Sequence, residues 1–172
     1  MNIFLLGYMG CGKSYVGQKL SKVLDIPFVD LDDYIEKSER RTIEQIFNSK
    51  GEIYFRKLEN TCLKELLKSN LNSVIALGGG TPCYADNIEL ISNHQSSKSI
   101  YLQVSIQELS KRLFNEKYKR PLLKFINTND ELLEFIGKHL FERKDFYNKA
   151  DIIINANGEP TEIIEKIILE LF

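Results

Sequence analysis

No run of this chain approaches the ~20 consecutive apolar residues that a membrane-crossing helix needs, although 43% of its 172 residues are hydrophobic. The apolar start, Ile3-Phe4-Leu5-Leu6, is too short for a secretory leader and has no basic segment ahead of it. Cysteine is scarce. Cys11, Cys62 and Cys83 are odd in number and widely spaced, with no Cys-x-x-Cys pair and no metal-ligand grouping with His94 or His139. They read as reduced thiols, so a cytoplasmic protein with no membrane partner is expected. Neither sign of charge is in excess: 23 Lys and Arg stand against 24 Asp and Glu, for a net charge of −1. Nucleic acid calls for a basic excess and is not expected as a partner. Repeats and low-complexity linkers are missing too. The length suits one domain, residues 1–172, large enough to fold without disulfides or a structural metal.

What is there is an alternation of short apolar runs with helical periodicities. Residues 2–6 read as a buried strand ending at Gly7. Val16, Leu20, Val23 and Leu24 then recur at helical spacing over 13–24. Pro27-Phe28-Val29 is a second strand, running into Asp30-Leu31-Asp32-Asp33. Two helical stretches follow, one holding Ile43, Ile46 and Phe47 and one over about 52–68. Further strands are expected at 73–77, 99–104 and 151–155, with helices over about 106–114 and 130–148 and a last one opening at Pro160. Continuous apolar strands alternating with helices imply an α/β fold, a parallel sheet covered on both faces. The stretch 115–128 is the least patterned and is basic, as suits either an ordinary loop or a mobile lid.

Between the first strand and the first helix lies Gly7-Tyr-Met-Gly-Cys-Gly12-Lys13-Ser14. This is the full phosphate-binding loop pattern in its proper strand–loop–helix context. Glycines let backbone N–H groups turn inward around an anion, and the helix N-terminus adds partial positive charge. Lys13 is then the residue to reach a transferring phosphate, and Ser14 offers a hydroxyl to Mg2+. Asn148-Lys149-Ala150-Asp151 matches the guanine-reading motif of GTPases but sits at the amino end of its strand, the wrong edge for a ligand. No Asp-x-x-Gly follows the third strand, and its end, Gly78-Gly79-Gly80-Thr81, offers no acidic metal ligand. Acidic partners must come from Asp30 and Asp32. Two readings stand side by side for them: one carboxylate for a Mg2+ shell and one for an acceptor hydroxyl, or a helix N-cap.

These residues together resemble the shikimate kinase family over nearly the whole chain. To the loop and Asp30-Leu-Asp32 the resemblance adds Ile46-Phe47, Gly51-Glu52, Phe55-Arg56, Glu59, Leu77-Gly-Gly-Gly80, Arg120-Pro-Leu-Leu123, and Glu142-Arg143 before Tyr147. It implies a P-loop kinase fold like that of nucleoside monophosphate kinases, with a five-stranded parallel sheet, helices on both faces and a lid at about 113–126. It implies transfer of the ATP γ-phosphate to the 3-hydroxyl of shikimate, with one Mg2+, in a monomer. Gly10, Cys11, Gly12, Lys13, Ser14 and Tyr15 would hold the ATP phosphates, with Arg120 swinging in from the lid. Ser14 would bind the metal, with Asp30 behind its water shell. Asp32 would bind and orient the acceptor hydroxyl, Arg56 and Arg143 would clamp the shikimate carboxylate, and the Gly79 N–H would hydrogen-bond the acceptor. Lys13, Asp32 and Arg120 would be the catalytic set. Phe47 and Phe55 would wall the pocket, and Glu59, on the Arg56 face of its helix, could hold that arginine.

Two positions depart from the family pattern. Tyr15 stands where Thr usually follows the loop serine, and Asn155-Ala-Asn-Gly158 lacks an arginine that some members carry near adenine. A gluconate or nucleoside monophosphate kinase would not call for Phe55-Arg56 together with Leu77-Gly-Gly-Gly80. A nucleotide-binding domain without turnover would be expected to have lost Lys13, Asp32 or Arg120.

Overall fold

The computed structural model describes residues 1–69 and 71–172. Its five strands are β1 (Asn2–Leu6), β2 (Phe28–Asp30), β3 (Val74–Ala76), β4 (Ser97–Gln103) and β5 (Ile152–Asn155). All pair in parallel, in the order β2-β3-β1-β4-β5. The chain order reverses at β1, with β3 and β2 on one side and β4 and β5 on the other. Loops that leave β1 therefore open into the crevice where open α/β sheets bind ligands. The register places Leu5, Ala76 and Asp30 in one row, so β2 and β3 finish level and β1 runs one residue further.

The helices are α1 (Lys13–Leu24), α2 (Leu31–Glu39), α3 (Ile43–Lys68), α4 (Asn87–Ser92), α5 (Ile106–Phe114), α6 (Asn129–Tyr147) and α7 (Pro160–Leu171). Strand periodicity sorts them onto two faces. Ile3 and Leu5 of β1 pack with Leu20 of α1, Leu109 of α5, Ile136 of α6 and Ile167 of α7. Phe4 and Leu6 pack with Ile35 of α2, Leu63 of α3 and Ile88 of α4. β1 is buried on both sides, as its unbroken apolar run requires. Edge strand β5 is not: Ile153 is 47% exposed, so the run Ile152-Ile-Ile154 overstated its burial.

Two helices escaped the sequence reading. α2 starts directly at the end of β2 and buries only Leu31 and Ile35, too few for a visible period. α4 has six residues. The two stretches read between 43 and 68 are real but joined, with a break at Gly51, where φ is 78°. β4 begins at Ser97, two residues before the predicted start. Residues 115–128 hold two tight 3-10 turns, Lys117–Lys119 and Pro121–Leu123, with Leu123 buried.

Asp151, the false GTPase aspartate, is a clasp at the amino edge of the sheet. Its Oδ2 accepts from the Ser99 backbone N–H (2.8 Å) and hydroxyl (2.7 Å), while its own N–H donates to Ser99 Oγ at 2.9 Å. Asp151→Ala should lower the unfolding free energy by about 1–3 kcal/mol, the usual loss when buried donors are left unpaired. It should leave the relative binding of ATP and GTP unchanged. Denaturant unfolding and a two-nucleotide assay check both halves.

Candidate active site

The loop after β1 is shaped for an anion. Gly10 and Gly12 have φ of 81° and 95°, backbone states that side chains resist, and a Cβ on Gly10 would lie 2.9 Å from Leu113. α1 begins at Lys13, so its free N–H groups point into the loop. Lys13 spans the mouth, its ammonium donating to the carbonyls of Gly7 (2.8 Å) and Tyr8 (3.1 Å) and lying 3.7 Å from buried Cys11 Sγ. Ser14 faces outward, and its hydroxyl donates to Asp30 Oδ2 at 2.7 Å. Tyr15 is 53% exposed and lies under the Lys19 ammonium, 5.6 Å from ring centre to Nζ.

The two readings of Asp30 turn out to be compatible. Its Oδ1 caps α2 by accepting from the Asp32 N–H at 3.1 Å, and its Oδ2 takes the Ser14 hydroxyl. Asp32, in the first turn of α2, points at the glycine run: a Cβ on Gly78 would lie 3.1 Å from Asp32 Oδ1 and 3.3 Å from Glu59 Oε1. Burial is the main reason that the Asp32 carboxyl is pushed up to about 6. Asp30 and Glu59 push the same way, and Lys13 opposes them. Glu59 is almost wholly buried and accepts from Thr81 Oγ1 (2.6 Å) and Arg56 Nη1 (3.1 Å). Burial raises its pKa despite these bonds.

Arg56 and Arg143 approach the glycine run separately. The Arg56 Nη atoms lie 3.0 Å from where a Gly80 Cβ would be, and Arg143 Nη1 lies 3.9 Å from that point on Gly79. Phe47 and Phe55 stack beside this region with centroids 4.6 Å apart. Tyr147 lies one turn beyond Arg143 on α6, is fully buried and donates its hydroxyl to the Gly79 carbonyl at 2.6 Å. Helix α6 thus holds the backbone of Gly79 as well as carrying Arg143. Spacing of four residues was the sequence signal for that pairing.

A cavity of about 770 Å³ runs across the site. It brings together the loop from Gly10 to Tyr15, Asp30, Asp32, Gly79 and Arg120. Arg56 does not line it; this side chain faces a second cavity of about 430 Å³ together with Tyr84 and Glu52. Arg120 Nη2 lies 3.8 Å from Glu116 Oε2, and its buried Nε has no hydrogen-bond partner. The far end of the larger cavity is lined by Arg112, Asn157 and Pro160. Arg112 Nη2 donates to the Ala156 carbonyl at 3.3 Å and Nε to Glu108 at 2.9 Å. A cation is therefore present beside the segment after β5, supplied by α5. The sequence reading missed Arg112 because its spacing to Glu108 marks only an ordinary helix-surface ion pair. Among the described residues no group of three or more His, Cys, Asp or Glu is placed to hold a metal, and no helix is long and apolar enough to cross a membrane.

A phosphate-type loop at the switch point of a parallel sheet, with a carboxylate across the cavity from its lysine, defines a P-loop phosphotransferase. The family model described as shikimate kinase matches residues 9–172. Shikimate kinase of Flavobacterium johnsoniae is 53% identical over 169 residues, which are 98% of this chain and 97% of that one. The crystal structure of shikimate kinase from Bacteroides thetaiotaomicron superposes with a TM-score of 0.89 at 35% identity, covering 99% and 98% of the two chains. A shikimate kinase from Acinetobacter baumannii, solved in complex with shikimate, gives 0.85 at 32% identity, covering 99% and 92%. The chain belongs to the shikimate kinase family.

The raised carboxyl of Asp32 has a cost for the fold. Unfolded, this group titrates near ~3.9; folded, near 6. Between those values the folded protein binds the extra proton, so stability falls as pH rises through the window and stays lower above it. Asp32→Asn removes the penalty. At pH 7.5 the variant should unfold at higher denaturant than wild type, by on the order of 1–3 kcal/mol. The gap should close towards pH 4. Chemical denaturation at the two pH values checks it.

Proposed function

We propose that the protein transfers the γ-phosphoryl group of ATP to the 3-hydroxyl of shikimate, giving ADP and shikimate 3-phosphate. The reading is carried by one cavity that sets Lys13 and Ser14 of the phosphate loop opposite Asp32, with two arginines on the adjoining glycine run. Phosphoryl transfer asks for alignment and compensation of negative charge. The N–H groups of residues 10–15 cradle the phosphates, and Lys13 leaves the Gly7 and Tyr8 carbonyls to take phosphate oxygens. Tyr15 contributes through its backbone, and Arg112 lies on the base side of the cavity.

Ser14 Oγ and Asp30 Oδ2 are hard oxygen groups of the type Mg2+ prefers, and together they would hold the ion that accompanies the phosphates. Ser14 is assigned as the direct ligand and Asp30 as acting through water. One Mg2+ bound there would offset the charge of the phosphate oxygens.

On the acceptor side, Arg56 and Arg143 clamp the shikimate carboxylate and the Gly79 N–H donates to the acceptor. Asp32 accepts the proton of the 3-hydroxyl as that oxygen bonds to the γ-phosphorus and the bond to the bridging oxygen of ADP breaks. A carboxyl near 6 is ionised at neutral pH yet more basic than an ordinary aspartate, which suits a proton acceptor. Residues 113–126 form a lid on a single domain spanning 1–172. Its Arg120 Nε is a buried donor awaiting an acceptor, and closure brings that cation to the transferring phosphate while excluding water. The enzyme works as a monomer in the cytoplasm.

The decisive experiment is ADP release with MgATP alone and with shikimate, gluconate or a nucleoside monophosphate. Release should require shikimate. Release with another acceptor instead would retain a P-loop kinase and discard the pocket assignments. Arg143→Ala should raise the KM for shikimate about 30-fold or more, as loss of a charged hydrogen-bond partner does, with the KM for ATP within about twofold. Steady-state kinetics with each substrate varied separates the two, and an equal rise in both would remove Arg143 from the clamp.

A further inference from the structure

We infer that Tyr84, a residue the family pattern did not single out, is a positioning residue that fixes the guanidinium of Arg56 for the substrate carboxylate; the inference rests on the shikimate reading of the site. Its ring centre lies 3.8 Å from Arg56 Cζ, the shortest cation–aromatic approach among the described residues. Its hydroxyl donates to Glu52 Oε1 at 3.1 Å. That same oxygen accepts from Arg56 Nε and Nη2, at 3.3 Å each. On the opposite side Nη1 donates to Glu59 at 3.1 Å. One face of the guanidinium is thus covered by the ring, and two of its edges are taken by carboxylates.

A guanidinium has five N–H donors. Three are used here, on Nε, Nη2 and Nη1. The two left over are one on each Nη, and a guanidinium fork matches the two oxygens of a carboxylate. Both Nη atoms lie 3.0 Å from the place of a Gly80 Cβ, so the guanidinium packs against backbone that carries no side chain. The arrangement fixes the cation beside the glycine run with two donors not committed to the carboxylates.

Tyr84 is itself well held. It follows the 3-10 turn Thr81–Cys83, and the buried Asn87 side chain donates to the Thr81 carbonyl at 2.8 Å. Asn60 of α3 donates in turn to Asn87 Oδ1 at 2.7 Å. The ring is therefore a fixed plate. It restrains the long Arg56 side chain and keeps water off one face, which strengthens the ion pair the fork makes. Of the two carboxylates on the guanidinium, Glu52 is the more exposed, its side chain 54% accessible against 1% for Glu59, so without the ring that edge of the bracket would be loosely held.

The test is steady-state kinetics of Tyr84→Ala, Tyr84→Leu and Tyr84→Phe, each also combined with Arg56→Ala. Tyr84→Ala should raise the KM for shikimate about five- to tenfold, with kcat and the KM for ATP within about twofold. Tyr84→Leu keeps an apolar body at the position and should show the same split should the alanine variant fold poorly. Tyr84→Phe keeps the ring, loses only the Glu52 bond and should recover most of the affinity. In the Arg56→Ala background the loss at Tyr84 should vanish, because nothing remains to position. A normal shikimate KM in Tyr84→Leu, or an equal loss with and without Arg56, overturns the assignment while leaving the activity standing. No shikimate-dependent ADP release by the wild-type protein overturns the reading of the site and this assignment with it.

Discussion

That β1, β2 and β3 finish within one residue of one another is the constraint on which the site depends. Parallel pairing puts Leu5, Ala76 and Asp30 in one row, so the segments that leave those strands start from the same edge. The phosphate loop, the Asp30–Asp32 pair and the glycine run come from three distant parts of the chain, and none packs against another by local necessity. Register alone makes them neighbours. A slip of one residue in β2 would turn Asp30 to the other face and break its bond to Ser14.

Charge at that edge is arranged as much by backbone as by side chains. Glu59 adds to the cost that burial already sets on ionising Asp32, while Glu59 itself keeps specific partners. Glu59 is the more buried and is committed to Arg56 and Thr81. Asp32 accepts nothing from a nearby cation at hydrogen-bond distance among the described residues, which leaves its oxygens available. The glycine run makes the crowding possible, since a side chain at Gly78 would press on Asp32, Glu59 and Thr81 at once.

Much of this was legible in the residues. The loop pattern, the parallel α/β sheet and the false GTPase motif follow from types and spacings that have a local physical meaning, while Arg56, Arg120 and Arg143 are named only through the family resemblance. What stayed hidden had no local signature. α2 carries two buried residues and a cap that also takes the Ser14 hydroxyl, so its periodicity is drowned by its acids. Tyr84 lies in an irregular turn, where neither helical nor strand spacing says what a ring will touch. Arg112 looks like any helix-surface cation until the segment after β5 is folded beside it. The division of the pocket, with Arg56 opening onto a different cavity from Asp32, is a property of packing that no linear pattern encodes.

The Asp151–Ser99 clasp sits at the amino ends of the strands, and every residue assigned to chemistry sits at or beyond the carboxyl ends. The sheet thus has a working rim and a fastening rim, separated by the length of its strands. Strain and like charge gathered on the first are offset on the second by contacts that no substrate ever meets. For a chain under selection, durability and chemistry are then adjustable by separate sets of substitutions, because sites this far apart contribute nearly additively. A gain in thermal tolerance can be sought along the fastening rim with the geometry of the working rim untouched.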